Sequence, residues 1–157
     1  MTVHANVAEP WRVTLVDTGL NTQTGARVKR VKRYIGDETF MLTYGDGVSD
    51  VDLRALLAQH QTSGKTVTLT GIQPGGRFGV LDLDEGGTTV SGFREKARED
   101  GGWINAGFMV MEPGVFDYLG AEEACVLERA PFETLAREGK LGIYKHGGFW
   151  QCMDTQR

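Results

Sequence analysis

The sequence predicts an α/β fold in which a mixed, mostly parallel sheet is flanked by helices. Two observations carry that expectation. Apolar runs of strand length alternate with amphipathic stretches of helical spacing through the first half of the chain, and hairpin-like pairs follow. Glycine makes up 22 of 157 residues, about twice the usual share of roughly 7%. Those glycines sit in small groups beside apolar runs, a pattern of sharp turns and close backbone approaches.

Taken in order, Arg12 to Asp17 alternates as a short strand that ends at Thr18-Gly19. From Gly25 to Tyr34, Val28, Val31 and Ile35 fall three and four apart, an amphipathic helix closed by Gly36-Asp37. Phe40 to Tyr44 is a compact apolar run that stops at Gly45 and reads as a buried strand. Asp50 is the expected cap of a second helix, with Leu53, Leu56, Leu57 and His60 near one face and Gly64 at its end. Val67 to Gly71 reads as a strand, and Val80 to Leu83 with Thr88 to Phe93 as a hairpin through Glu85-Gly86-Gly87. Trp103 to Met111 is a long strand, and Pro113 opens a short helix through Phe116 and Leu119. Pro131 opens another helix, and Leu141 to Lys145 and Phe149 to Met153 close the chain as strands. No internal repeat or linker divides the sequence, so residues 1–157 read as one domain.

Composition excludes several classes of function. Hydrophobic residues are 40% and charged residues 24%, and the net charge of −4 argues against a nucleic-acid backbone as a general partner. No apolar run reaches membrane-spanning length, and Met1 to Asn6 lacks the basic and apolar regions of a secretion signal, so a cytoplasmic protein is expected. Cys125 and Cys152 are far apart without metal-ligand spacing and read as buried, reduced thiols. His4, His60 and His146 fit no triad or metal spacing and read as structural. Arg27, Lys29, Arg30, Lys32 and Arg33 crowd one helix, whose solvated face they would form, with Arg27 the candidate for a phosphate contact.

The segment Leu42 to Asp50 carries the clearest chemistry. An apolar strand delivers Asp46 at its carboxyl end, where ligands bind in open α/β sheets, with Gly45 and Gly47 on either side. A carboxylate there can hold a hard cation such as Mg²⁺ alongside phosphate oxygens. The alternative is a G-D-G turn with a solvated aspartate. An EF-hand is excluded, because Val48 and Val51 stand where that loop needs a ligand and a glycine.

Further motifs surround that segment: V-D-T-G (Val16 to Gly19), P-G-G-R-F-G (Pro74 to Gly79), F-R-E-K (Phe93 to Lys96), I-N-A-G-F (Ile104 to Phe108) and F-W-Q-C-M-D-T (Phe149 to Thr155). With Y-G-D-G-V-S-D, and in this order over nearly the whole chain, they resemble the cytidylyl branch of the sugar-nucleotide pyrophosphorylase (nucleotidyltransferase) family. The resemblance implies a Rossmann-like, GT-A-like fold and transfer of a cytidylyl group from CTP to glucose 1-phosphate, giving CDP-glucose and pyrophosphate. It implies Mg²⁺ held by Asp46 and Asp154, with Lys96 on the sugar phosphate and Glu95 on sugar hydroxyls. By themselves Glu95 and Lys96 would read as a surface ion pair. Asn105 and Gly107 match the strand lining the sugar pocket, and Thr22, Arg27 and Gly45 match positions that contact nucleotide or substrate. Trp150 could pack against the pocket, but an aromatic in a late strand reads more readily as core.

Two departures qualify the match. Ala97 follows Lys96 where the family has proline. The family's G-G-x-G-T-R phosphate loop and K-P-K-P motif have no counterpart, so the chain is expected to be the metal and sugar-phosphate portion of the fold. A homo-oligomer would cover the sheet edge this leaves. The alternative function is a catalytically incomplete fragment that binds sugar phosphate or nucleotide sugar without turnover.

Overall fold

The computed structural model describes residues 11–73, 79–83, 90–95 and 102–153, with 79–83 and 90–95 described by their backbone. Its centre is a four-stranded mixed sheet in the order β1 (Phe40–Thr43), β6 (Ile104–Met111), β3 (Val67–Ile72), β7 (Leu141–Lys145). β6 runs antiparallel to both β1 and β3, and β3 pairs in parallel with β7. Three of the four strands therefore point the same way. Two small antiparallel pairs complete the described strands: β2 (Gly47–Ser49) with β8 (Trp150–Cys152), and β4 (Gly79–Leu83) with β5 (Val90–Glu95).

Alternation along β3 sorts the layers. Val67 joins Met109 and Met111 in a core with Val28 of α1 (Thr24–Ile35), Phe132 and Leu135 of α3 (Ala130–Arg137), and Val115 and Phe116 of the 3-10 helix Pro113–Asp117. Thr68, on the opposite face, meets the buried His60 of α2 (Leu53–Ser63) at 2.8 Å. The helices thus flank the sheet on both sides, as the sequence pattern requires.

Helix α1 lacks a side-chain cap at Gln23. Its first-turn donors are satisfied instead by a neighbouring segment: Gln23 N–H donates to Glu123 O and Ala26 N–H to Cys125 O. Gly25 makes this approach possible, since a Cβ there would lie 2.8 Å from Cys125 Sγ and 3.0 Å from Cys125 O. Gly25→Ala is expected to destabilise the protein by about 1–3 kcal/mol through overpacking, read as a lower urea midpoint at unchanged slope. In the basic cluster Arg30, Lys32 and Arg33 are exposed, as the spacing suggests, whereas Arg27 and Lys29 are half-buried. Lys29 Nζ donates to Phe116 O at 2.5 Å, and Lys32 Nζ lies 5.3 Å from the Phe116 ring centroid.

Three local expectations are corrected. Arg12 to Asp17 is not a strand: among the described residues it pairs with no other, and Val13 and Leu15 are 73% and 93% exposed. Alternation makes a strand only where a neighbouring backbone completes the ladder. Only its closing turn forms as expected, with Gly19 N–H donating to Asp17 Oδ1. Phe40 to Tyr44 is not buried, because β1 lies at the end of the four-stranded sheet and alternates between half-buried and exposed. The cap of α2 is Asp52, not Asp50, with its carboxylate accepting from Arg54 and Ala55 N–H at 2.9 and 3.0 Å. Asp50 N–H is still committed to Phe149 O, which continues the β2–β8 ladder, so the helix begins only beyond it.

Candidate active site

The carboxyl ends of β1, β3 and β7 and the start of β6 share one edge of the sheet. Asp46 lies just beyond β1 on that edge. Its carbonyl accepts Met153 N–H at 2.8 Å, and its Oδ2 accepts the Cys152 thiol at 3.6 Å. Both contacts extend the β2–β8 register, in which Gly47 faces Cys152. The sequence pattern did not reveal β2, because a three-residue strand inside a G-D-G segment has no readable period. It brings Asp46 to the residue that immediately precedes Asp154. Asp154 and Lys96 themselves lie outside the described residues, as do His4, the Glu85-Gly86-Gly87 turn and Pro74 to Phe78, and Glu95 is described by its backbone alone.

The I-N-A-G-F motif builds an irregularity in β6. Leu69 faces Met109, but two residues on Gly71 faces Asn105, so Ala106, Gly107 and Phe108 bulge opposite Thr70. Gly107 has φ +82°, and a Cβ there would meet Tyr44 Cδ2 at 3.1 Å. Asn105 Oδ1 accepts Gly107 N–H at 3.0 Å and holds the bulge. Asn105 also lines a cavity of about 260 Å³ together with Leu69, Gly71, Trp103 and Ile143. Gly45 differs from Gly107. Among the described residues a Cβ on Gly45 would meet nothing within 4 Å, so their packing does not require glycine there.

Trp150, for which sequence reasoning favoured the core over packing against the pocket, is half-buried beside β6. The bulge takes Ala106 O out of the β6 ladder, and Trp150 Nε1–H donates to it at 2.8 Å. This bond ties β8 to the strand carrying Asn105 and Gly107. Trp150→Phe removes the donor and keeps the ring, and is expected to cost about 1–3 kcal/mol in urea unfolding through the unsatisfied carbonyl.

Thr22 and Arg27 lie at the other side of Tyr44. Arg27 donates to Thr18 Oγ1 at 2.6 Å and Leu20 O at 3.2 Å, bracing the turn before α1. Thr22 is buried, and its hydroxyl accepts from Arg30 at 2.7 Å. Tyr44 hydrogen-bonds through its hydroxyl to Glu128 Oε1. Burial first, then that bond and the charges of Glu128 and Asp46, hold the Tyr44 phenol far above the ordinary tyrosine range, so it stays a donor.

His60 and His146 are structural in this arrangement. His60 bridges Thr68 and Glu112. His146 Nε2 faces Asp50 Oδ1 at 2.9 Å and Ser49 Oγ at 3.3 Å. Serine and aspartate share one ring nitrogen, whereas a nucleophile triad places them on opposite nitrogens. Their effect is to clasp the loop before β8 to the end of β2.

Comparison with known proteins agrees with this geometry. The sequence profile described as Nucleotidyl transferase matches residues 12–136. The chain belongs to the nucleotidyl transferase family. It is 49% identical over 158 residues to the glucose-1-phosphate cytidylyltransferases of Salmonella typhi and Salmonella typhimurium, covering 100% of this chain and 60% of each relative. A mannose-1-phosphate guanylyltransferase from Mycobacterium tuberculosis is 31% identical over 137 residues, covering 84% of this chain and 38% of that protein. In three dimensions, HddC from Yersinia pseudotuberculosis complexed with GMP-PN aligns with a TM-score of 0.56 at 18% identity, over 85% of this chain and 58% of that one. At that identity the likeness concerns the fold alone. Among the described residues no helix is long and apolar enough to cross a membrane.

Proposed function

We propose that this chain carries the metal and sugar-phosphate portion of a glucose-1-phosphate cytidylyltransferase, acting in the cytoplasm on CTP and glucose 1-phosphate. The observation that carries the reading is the β2–β8 ladder, which joins Asp46 to Met153 and so to the chain entering Asp154. Identity of 49% to the Salmonella cytidylyltransferases supports the substrate pair. In the reaction a phosphate oxygen of glucose 1-phosphate attacks the α-phosphorus of CTP. The bond from that phosphorus to the pyrophosphate oxygen breaks, and pyrophosphate leaves. Both reactants are anions, so positioning and charge neutralisation dominate the rate.

The donor set suits Mg²⁺. Asp46 is an exposed hard carboxylate at the ligand-binding edge of the sheet, and Mg²⁺ commonly takes one or two carboxylates plus phosphate oxygens. Asp46 and Asp154 would hold it, and when bound it supplies charge neutralisation on the phosphates. Lys96 would hold the sugar phosphate and Glu95 the sugar hydroxyls, and Asn105 and Gly107 would line the sugar pocket. Thr22, Arg27 and Gly45 would border the nucleotide. A homo-oligomer belongs to the same reading.

The test is pyrophosphate release from CTP and glucose 1-phosphate with Mg²⁺, using protein shown by circular dichroism to be folded. Release with CTP above UTP and dTTP supports the reading. Binding of glucose 1-phosphate without release supports the alternative of an acceptor pocket that does not turn over. Gly45→Ala offers a sharper check. It is expected to change the unfolding free energy by less than about 0.5 kcal/mol while weakening substrate binding, since among the described residues nothing lies within 4 Å of the added methyl.

A further inference from the structure

We propose that Glu128 is a positioning residue for this site: through Tyr44 and Thr24 it ties the loop bearing Asp46 to the first turn of α1 bearing Arg27. The proposal rests on the reading of the site given above and concerns a residue that no motif singled out.

Glu128 lies on the segment between Cys125 and α3, remote in sequence from both groups it joins. Its Oε1 accepts the Tyr44 hydroxyl, and its Oε2 accepts Thr24 Oγ1–H at 2.9 Å. Thr24 Oγ1 in turn accepts Leu127 N–H at 3.0 Å, so the carboxylate and the backbone of the preceding residue grip the start of α1 together. Arg27 is one turn along that helix.

Tyr44 meets three parts of the site. It immediately precedes Gly45-Asp46. Its N–H donates to Gly107 O at 3.1 Å, and its ring packs where a Cβ on Gly107 would intrude. Its hydroxyl reaches Glu128. Packing alone does not fix the spacing between α1 and β1 here, because a cavity of about 170 Å³ lies between them. Thr24, Arg27, Val28, Leu42, Tyr44 and Leu127 line it. Where atoms do not fill the gap, the directional bonds through Glu128 set the distance. Shifting that distance would move Asp46 relative to Arg27, and hence the two ends of a bound nucleotide.

The test uses Tyr44→Phe, Glu128→Ala, the double variant and Glu128→Gln, each read in two ways. The first readout is the ¹H–¹⁵N NMR position of the Gly45, Asp46 and Gly47 amides. The second is kcat for pyrophosphate release against KM for glucose 1-phosphate. Both single variants are expected to shift the same amides and to lower kcat about tenfold, with KM changed less than about twofold. The double variant should match either single, since one connection is being cut twice. Glu128→Gln keeps an acceptor for one hydroxyl and should recover most of the loss. Unmoved amides in both single variants, or additive effects in the double, would overturn the proposal. If wild-type protein releases no pyrophosphate while the amide pattern holds, the catalytic reading fails and the connection through Glu128 stands.

Discussion

Asp46→Asn is expected to lower pyrophosphate release by about 10²–10³-fold while leaving the unfolding midpoint where it was. The two halves of that expectation have separate causes. Asparagine is nearly the same shape but cannot supply the negative charge a hard cation requires. The structural bond of Asp46 runs through its backbone carbonyl to Met153, and asparagine preserves it. The carboxylate itself is exposed, and among the described residues it accepts from the Cys152 thiol at 3.6 Å, so its loss is expected to change stability by less than about 0.5 kcal/mol. Chelation by EDTA should abolish release from the wild type, and the variant should need more Mg²⁺ for half-maximal rate. Full activity in Asp46→Asn would remove this residue from the metal site. A large fall in the midpoint would mean that the carboxylate holds the β2–β8 ladder.

Phe116→Ala carries the largest expected loss of stability, about 3–5 kcal/mol by urea denaturation. The side chain is fully buried at the centre of the core, between the 3-10 helix and the sheet. Its ring stacks on Phe40 of β1 with centroids 5.6 Å apart, and Lys32 of α1 lies over it at 5.3 Å. Its backbone carbonyl accepts from Lys29 of the same helix. Truncation opens a cavity where three elements meet, and loosens α1, which carries Arg27, from β1, which leads to Asp46. In a domain with a total stability of about 5–15 kcal/mol, this is a large share of the whole. Phe116→Leu keeps most of the volume and should cost less than about 1.5 kcal/mol if packing is the cause. Equal losses in the two variants would point to the aromatic stack instead.

Much of this was readable from local pattern. Helix α1 was legible because Val28, Val31 and Ile35 repeat at the helical period and Gly36 ends them. Helix α3 was legible because Pro131 occupies a first-turn position where its missing donor costs nothing. Asp46 was legible because an apolar run ends in glycine on both sides of a carboxylate. Tertiary pairing undid three local expectations. Val13 and Leu15 alternate like a strand yet pair with no described residue. Phe40 to Tyr44 is apolar enough for the interior yet lies at the end of the sheet. Asp50 and Asp52 are equally good caps by residue type, and the reach of the β2–β8 ladder decides between them.

By itself the sequence determined the layered α/β class and the helices, because these follow from periods and residue types within a few positions. It also placed the chain in its family, through motifs whose order survives in the residues themselves. Only the tertiary structure decided which distant groups meet. Asp46 reaches Met153, Trp150 satisfies Ala106, and Glu128 joins Tyr44 to Thr24 across separations of 44 to 107 residues. No period records such meetings. A buried carbonyl needs a donor and a hydroxyl needs an acceptor, but which residue supplies it depends on how the whole chain closes.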